Sequence, residues 1–301
     1  MAIINLTPDS FYAASRRWVD TPPLTWVAPD GRSASWLRSP AAGARSAPGA
    51  SELPRQDPSA AVARAGAALE AGADLLDLGA ESTRPGAAPL AAAEEQERLL
   101  PSLEAVRRQF PAALLSVDTR HGATARRALD AGADIINDVS GLEDAELAAV
   151  CKASRCGVVL MHSRGEFASM HRLPPLADPL ATVEAGLEAI AGRAGAAGLA
   201  PERMVLDPGF GFGKNLDENF PLLAGLDRLH RLGCPLLVGL SRKSFLRNDS
   251  AQPPEERLPA SLAAATAAAL AGAHIVRTHD VAATVAALRI ADRLLAQAHK
   301  S

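Results

Sequence analysis

Cysteine is scarce in this chain. Its three copies in 301 residues, Cys151, Cys156 and Cys234, form neither a paired framework nor a metal-ligand spacing. That excludes a disulfide-stapled scaffold and predicts reduced, structural thiols in a cytoplasmic protein. Long hydrophobic runs are missing as well: no stretch would span a bilayer, and nothing at the start resembles a signal peptide, so no membrane partner is expected. Nor is there an excess of one charge. The 31 Lys and Arg face 34 Asp and Glu, the net charge is −3 and the cations are scattered, which argues against a nucleic-acid surface. What the chain does have is apolar content, 48%, supplied mostly by Ala and Leu.

A phrase recurs three times: a helix-like run ending Ala-Gly-Ala, a short apolar burst, then polar residues. The copies are Leu69-Glu-Ala-Gly-Ala-Asp-Leu-Leu-Asp-Leu-Gly79, Leu129-Asp-Ala-Gly-Ala-Asp-Ile-Ile-Asn-Asp-Val139 and Leu270-Ala-Gly-Ala-His-Ile-Val-Arg-Thr-His279. Each reads as a helix stopped by a glycine in the left-handed cap and followed by a buried strand. Five more strands are expected, at Ala2 to Ile4, Leu114 to Val117, Val158 to Met161, Met204 to Leu206 and Leu236 to Leu240. Eight strands alternating with helices predict an α/β fold, a single (β/α)8 barrel of the TIM type, for which roughly 250 residues suffice. The last helix is expected over Val281 to Ala298.

The domain expected is one barrel over residues 1–301, interrupted at 17–56. That segment is rich in Ser, Pro, Arg, Ala and Gly, lacks periodicity, and holds all three tryptophans, Trp18, Trp26 and Trp36. It reads as a long, mostly disordered insertion in the first βα loop. The alternative is that the tryptophans anchor a lid or a partner.

In this fold the carboxyl ends of the strands converge on the active site. Here they run out into Asn5, Asp118, Asn137, Asp207, Ser241 with Lys243, and Arg277 with His279. Asp207-Pro-Gly-Phe-Gly-Phe-Gly-Lys214 fails as a phosphate-binding P-loop, because Pro208 takes the first glycine's place and Asn215 follows the lysine. It reads instead as a strand end with Asp207 in a pocket, Phe210 and Phe212 as walls, and glycines that let backbone pass close to a ligand. Asp118 and Asn137 offer acceptors and donors to a planar heterocycle, or else cap the following helices. Lys243 is placed to pair with Asp207, and Arg277 to share an anion with Asn5 or stack on a flat ring. Thr83 and Arg84, in Glu81-Ser-Thr-Arg-Pro-Gly86, add a hydroxyl and an anion-binding fork at the rim. The histidines lack the spacing of metal ligands.

Taken in order, several segments resemble the dihydropteroate synthase family. They are Asn5-Leu-Thr-Pro-Asp-Ser-Phe11, Glu81-Ser-Thr-Arg-Pro-Gly86, Ser116-Val-Asp-Thr119, Ile136-Asn-Asp-Val-Ser-Gly141, Leu160-Met-His162, the octet ending at Lys214, Ser241-Arg-Lys-Ser244 and Arg277-Thr-His279. The resemblance implies a homodimeric transferase that joins p-aminobenzoate to 6-hydroxymethyl-7,8-dihydropterin diphosphate with Mg²⁺, releasing diphosphate. It places Thr83, Asp118, Asn137, Asp207, Lys243, Arg277, Thr278 and His279 on the pterin diphosphate. It places Thr83, Arg84, Phe212 and Ser244 on the p-aminobenzoate side, and Asn5 on the metal. No covalent nucleophile is implied.

Two departures stand out. Met1 falls almost on the first motif, where family members usually carry residues that cap the barrel bottom. The first loop reads Phe11-Tyr-Ala-Ala-Ser-Arg16 in place of the usual Asp-Gly-Gly. Two other readings remain open on these residues: a pterin-binding barrel of the corrinoid methyltransferase type, and a catalytically weakened pterin-binding paralogue.

Overall fold

The computed structural model describes residues 1–5, 26–27, 33–34, 57–81, 89–165, 170, 173–247 and 252–298, with backbone alone at 4–5, 26–27 and 33–34. Eight of its ten strands form a ring: β1 (Ala2–Asn5), β4 (Leu75–Gly79), β5 (Leu114–Asp118), β6 (Ile135–Asp138), β7 (Gly157–Met161), β8 (Met204–Asp207), β9 (Leu237–Gly239) and β10 (Ile275–Arg277). The other two, β2 (Trp26–Val27) and β3 (Ser33–Ala34), pair antiparallel within the segment expected to be an insertion. The rest of 17–56, and with it the expectation about its order, lies outside the described residues.

Six ring strands pair in parallel in the order β1-β4-β5-β6-β7-β8, and β9 pairs in parallel with β10. Two seams close the circle. Leu206 N donates to Pro235 O at 2.9 Å, and Leu206 bridges to Leu236. On the other side Ile3 N donates to Thr278 O at 3.2 Å, and Thr278 N to Met1 O at 3.1 Å. The expected (β/α)8 barrel is therefore closed, with a helix after each strand: α1 (Pro58–Glu70), α2 (Ala92–Gln109), α3 (Gly122–Asp130), α4 (Ala145–Ser154), α5 (Pro179–Ala196), α6 (Asn219–Ala224), α7 (Leu258–Leu270) and α8 (Val281–Ala298).

Local chemistry sets the helix ends. Asp57 accepts from Ser59 N at 2.9 Å ahead of Pro58 in the first turn of α1, and Asp178 accepts from Ala181 N at 2.9 Å ahead of Pro179 in α5. The recurring glycines stop α1, α3 and α7 in left-handed backbone, with φ of 102° at Gly72, 98° at Gly132 and 90° at Gly272.

Strand alternation divides the apolar residues between two cores. Met1, Leu75, Ile135, Val159, Val205 and Leu237, with Leu114 and Ile275 against them, fill the barrel interior with one residue from each strand or its leading edge. Leu76, Leu78, Leu115, Val117, Ile136, Val158, Leu160 and Leu206 join the layer packed against the helices. Two residues further along the strands, the interior positions become Asp77, Ser116, Asn137, Asp207 and Arg277. The barrel thus has an apolar floor and a polar mouth.

Candidate active site

One pocket opens at the carboxyl ends of the strands. Its polar lining is Asp118, Asn137, Asp207, Ser241, Lys243, Arg277 and His279; Ile3, Val139, Met161, Phe210 and Phe212 supply apolar walls. Asp118 and Asn137 sit side by side in the register of β5 and β6. Asp207 and Arg277 are the last residues of β8 and β10. Lys243 follows a turn at Arg242, whose φ of 59° is held by a bidentate pair to Asp280, with contacts of 2.9 and 2.5 Å, and by Arg242 N donating to Ser261 Oγ at 2.9 Å.

Low solvent access governs the charges. Burial raises the carboxyl pKa of Asp118, with Arg277 opposing the rise. Burial also raises Asp207, against the Gly209 N–H, which donates to Oδ1 at 2.7 Å, and the cations Lys243 and Arg277. Lys243 is pushed down to about 8 by burial, with Asp207 resisting. Burial works against the Arg277 charge, but Asp77, Asp118 and Asp207 more than offset it and hold its pKa above the ordinary arginine value. His279 falls to about 3 through burial and the neighbouring Arg277 and Arg242, so it is neutral at physiological pH. Its Nδ1 lies 3.1 Å from Ser241 Oγ.

The expected pairing of Lys243 with Asp207 is not formed. Lys243 Nζ instead lies 4.1 Å from the centre of the Phe212 ring, a cation on an aromatic face, and Asp207 acts on it through the field alone. Two glycines of the octet also have a close neighbour. A Cβ at Gly209 would lie 2.0 Å from His162 O, and one at Gly213 would lie 2.2 Å from Arg164 O, with φ of 66° and 65°. Their close approach is to the chain leaving β7. Lys214 braces the loop from within. Buried, it donates to Gly209 O at 2.8 Å, Phe212 O at 3.1 Å and His162 O at 3.3 Å, and burial lowers its pKa to about 7.

Of the other residues singled out from sequence, Thr83 and Arg84 lie outside the described residues, and Asn5 is described by its backbone at the end of β1. Ser244 is exposed at the start of a short 3-10 turn. Thr278 is buried, with its hydroxyl 3.0 Å from Thr284 Oγ1 and accepting from Asp280 N at 3.1 Å. It holds the turn that enters α8, its backbone closes the barrel seam, and it is not among the pocket's side chains. Two polar residues were missed by sequence reasoning, Lys214 and Asp77. The signal for Asp77 was the alternation of Leu75-Leu-Asp-Leu-Gly79, which turns it inward between two outward leucines. Glu81 also has an unforeseen place. It accepts from Arg120 Nε and Nη2, both at 2.9 Å, and from Leu90 N at 2.8 Å, which ties together the two ends of segment 82–88.

This geometry has relatives. The family described as pterin binding enzyme matches residues 50–279. The dihydropteroate synthase of Escherichia coli (strain K12) is 42% identical over 235 residues, covering 78% of this chain and 83% of the relative. Among solved structures, dihydropteroate synthase from Thermus thermophilus in complex with 4-aminobenzoate superposes with a TM-score of 0.75 at 36% identity, covering 98% of this chain and 93% of that one. The enzyme from Xanthomonas albilineans in complex with 7,8-dihydropteroate gives 0.71 at 40% identity, covering 79% and 86%. The chain belongs to the pterin-binding enzyme family, and within it to the dihydropteroate synthases.

Proposed function

We propose that this chain is a working dihydropteroate synthase: a transferase that condenses 6-hydroxymethyl-7,8-dihydropterin diphosphate with p-aminobenzoate to give 7,8-dihydropteroate and diphosphate in folate biosynthesis. The observation that carries the reading is the convergence of Asp118, Asn137, Asp207, Lys243 and Arg277 on one pocket. Carboxylates and a carboxamide address the edge of a planar pterin, Arg277 faces its ring, and two cations balance acids that would otherwise be costly to bury. Phe212, Ser244 and, from the sequence motif, Thr83 and Arg84 are assigned to the p-aminobenzoate side.

The chemistry is loss of the carbon–oxygen bond to diphosphate, with negative charge building on the leaving oxygen and positive charge on the pterin methylene. Arg277, held cationic, faces the departing charge, while His279 contributes a neutral hydrogen-bonding nitrogen. The arylamine nitrogen then bonds to the methylene carbon and gives up a proton. No side chain forms a covalent intermediate. The apolar walls formed by Met161, Phe210 and Phe212 limit water at the reacting carbon.

The family implies Mg²⁺. Among the described residues no group of three or more His, Cys, Asp or Glu would cage an ion unaided. An amide oxygen together with diphosphate oxygens suits such a hard ion. Asn5, at the end of β1, would provide that oxygen, and the ion would neutralise charge on the diphosphate.

A homodimer is part of this reading, and Phe220, Leu270, Ile290 and Leu294, exposed on α6, α7 and α8, offer it apolar surface. The cysteines are buried, and no helix among the described residues is long and apolar enough to cross a membrane, which fits a cytoplasmic location. Residues 1–301 are read as one domain with 17–56 inserted in its first loop. Incubating purified protein with both substrates and Mg²⁺ should yield 7,8-dihydropteroate by mass spectrometry. Pterin binding without product would favour a weakened paralogue instead.

A further inference from the structure

Asp77 is fully buried in the interior of β4, level with Ile3 on β1 and Ser116 on β5 in the strand register. It does not line the pocket. Its Oδ2 nevertheless accepts from two side chains that do, Arg277 Nε at 2.7 Å and Asn137 Nδ2 at 3.2 Å. Arg277 Nη2 is also paired with Asp118 Oδ2 at 2.8 Å. The guanidinium is thus shared between two carboxylates of different kinds. Asp118 faces the pocket and is open to a ligand, whereas Asp77 is screened from it.

A carboxylate with no solvent access is a poor source of stability, because desolvation consumes most of the Coulombic gain. Its position has a clearer consequence for geometry. Oδ2 accepts from the NH₂ side of the Asn137 amide and so leaves that amide's oxygen for another donor. It also takes the Nε edge of Arg277, which fixes the plane of the guanidinium. We propose that Asp77 is a positioning residue for the substrate pocket, holding Arg277 and the Asn137 amide in their binding orientations when Asp118 leaves Arg277 to engage the ligand. The proposal rests on the pterin reading given above.

The test is Asp77→Asn in the full chain, with Asp77→Ser as a second variant, read by melting temperature and by steady-state kinetics in both substrates. An asparagine matches the shape but presents a donor as well, so the Asn137 amide loses its fixed orientation. The expected result is a melting temperature close to wild type, a KM for the pterin diphosphate raised tenfold or more, and a KM for p-aminobenzoate within twofold at saturating pterin diphosphate. Combining Asp77→Asn with Arg277→Lys should weaken binding by less than the product of the separate effects. An unchanged pterin diphosphate KM in folded Asp77→Asn protein overturns the proposal. So does an equal rise in both KM values, and so does failure of both variants to fold, which would make the residue structural. Wild-type protein that forms no product contradicts the functional reading instead, so the two failures are distinguishable.

Discussion

Lys243 Nζ rests 4.1 Å from the centre of the Phe212 ring, between a carboxylate it does not touch and an aromatic wall of the same pocket. This cation is held by a ring face and by the fields of Asp207 and Asp118, against burial and the like charge of Arg277. A buried lysine in that setting gives up its proton early, and its charge answers directly to whatever enters the pocket.

NMR of lysine-labelled protein should therefore show Lys243 titrating at about 8 and Lys214 at about 7, with each signal assigned by Lys243→Met and Lys214→Met. The sign of the ligand effect follows from linkage. An anion bound beside Lys243 favours the ammonium form, so saturation with the pterin diphosphate should move its midpoint upward. By the same argument affinity should fall as pH rises through the free midpoint. A Lys243 midpoint that ignores the ligand would remove this lysine from the site.

The octet gives a paired prediction about stability. Gly209→Ala places a Cβ 2.0 Å from His162 O at a φ of 66°, so both the backbone and the chain leaving β7 must shift. Strain and overlap together should cost about 3 kcal/mol or more. Gly211→Ala meets only Lys243, with Cδ at 3.5 Å, so the left-handed φ of 78° is its main penalty, about 1 kcal/mol. Thermal melting should rank the two clearly; equal melting temperatures would mean that the loop does not rest on the 162–164 chain.

The barrel was legible in the sequence because its signals are local. Gly72, Gly132 and Gly272 mark helix ends wherever they stand, and apolar bursts after them have one use in an α/β chain. Asp118, Asn137, Asp207 and Arg277 were legible because polar residues at strand ends have a common destination in this fold. What failed to show was pairing across the ring. Nothing local says that Lys243 meets Phe212 instead of Asp207, that Thr278 holds the turn into α8, or that Lys214 folds under its own loop. Asp77 was hidden for a related reason, since an acid between leucines looks like one polar step in a buried strand until its partner, 200 positions later, is placed beside it.

Metal removal separates the two halves of the substrate site. If Asn5 and the diphosphate share Mg²⁺ as proposed, chelation should weaken binding of the pterin diphosphate far more than binding of the corresponding pterin alcohol, measured by calorimetry. Equal weakening of both ligands would place the ion away from the diphosphate.

Deleting residues 17–56, joining Arg16 to Asp57, should leave melting temperature and pterin affinity unchanged. Asp57 already caps α1, and long surface insertions add little closure entropy. Loss of soluble protein would instead assign Trp18, Trp26 and Trp36 to packing against the barrel.

Diphosphate release shows whether this pocket performs the condensation. The wild-type protein, given the pterin diphosphate and Mg²⁺, should release diphosphate only when p-aminobenzoate is added. The Asp207→Asn variant should keep its fold and lose that release through failure to bind the pterin diphosphate. Release that ignores p-aminobenzoate, or an Asp207→Asn protein that binds and turns over like wild type, would contradict the account.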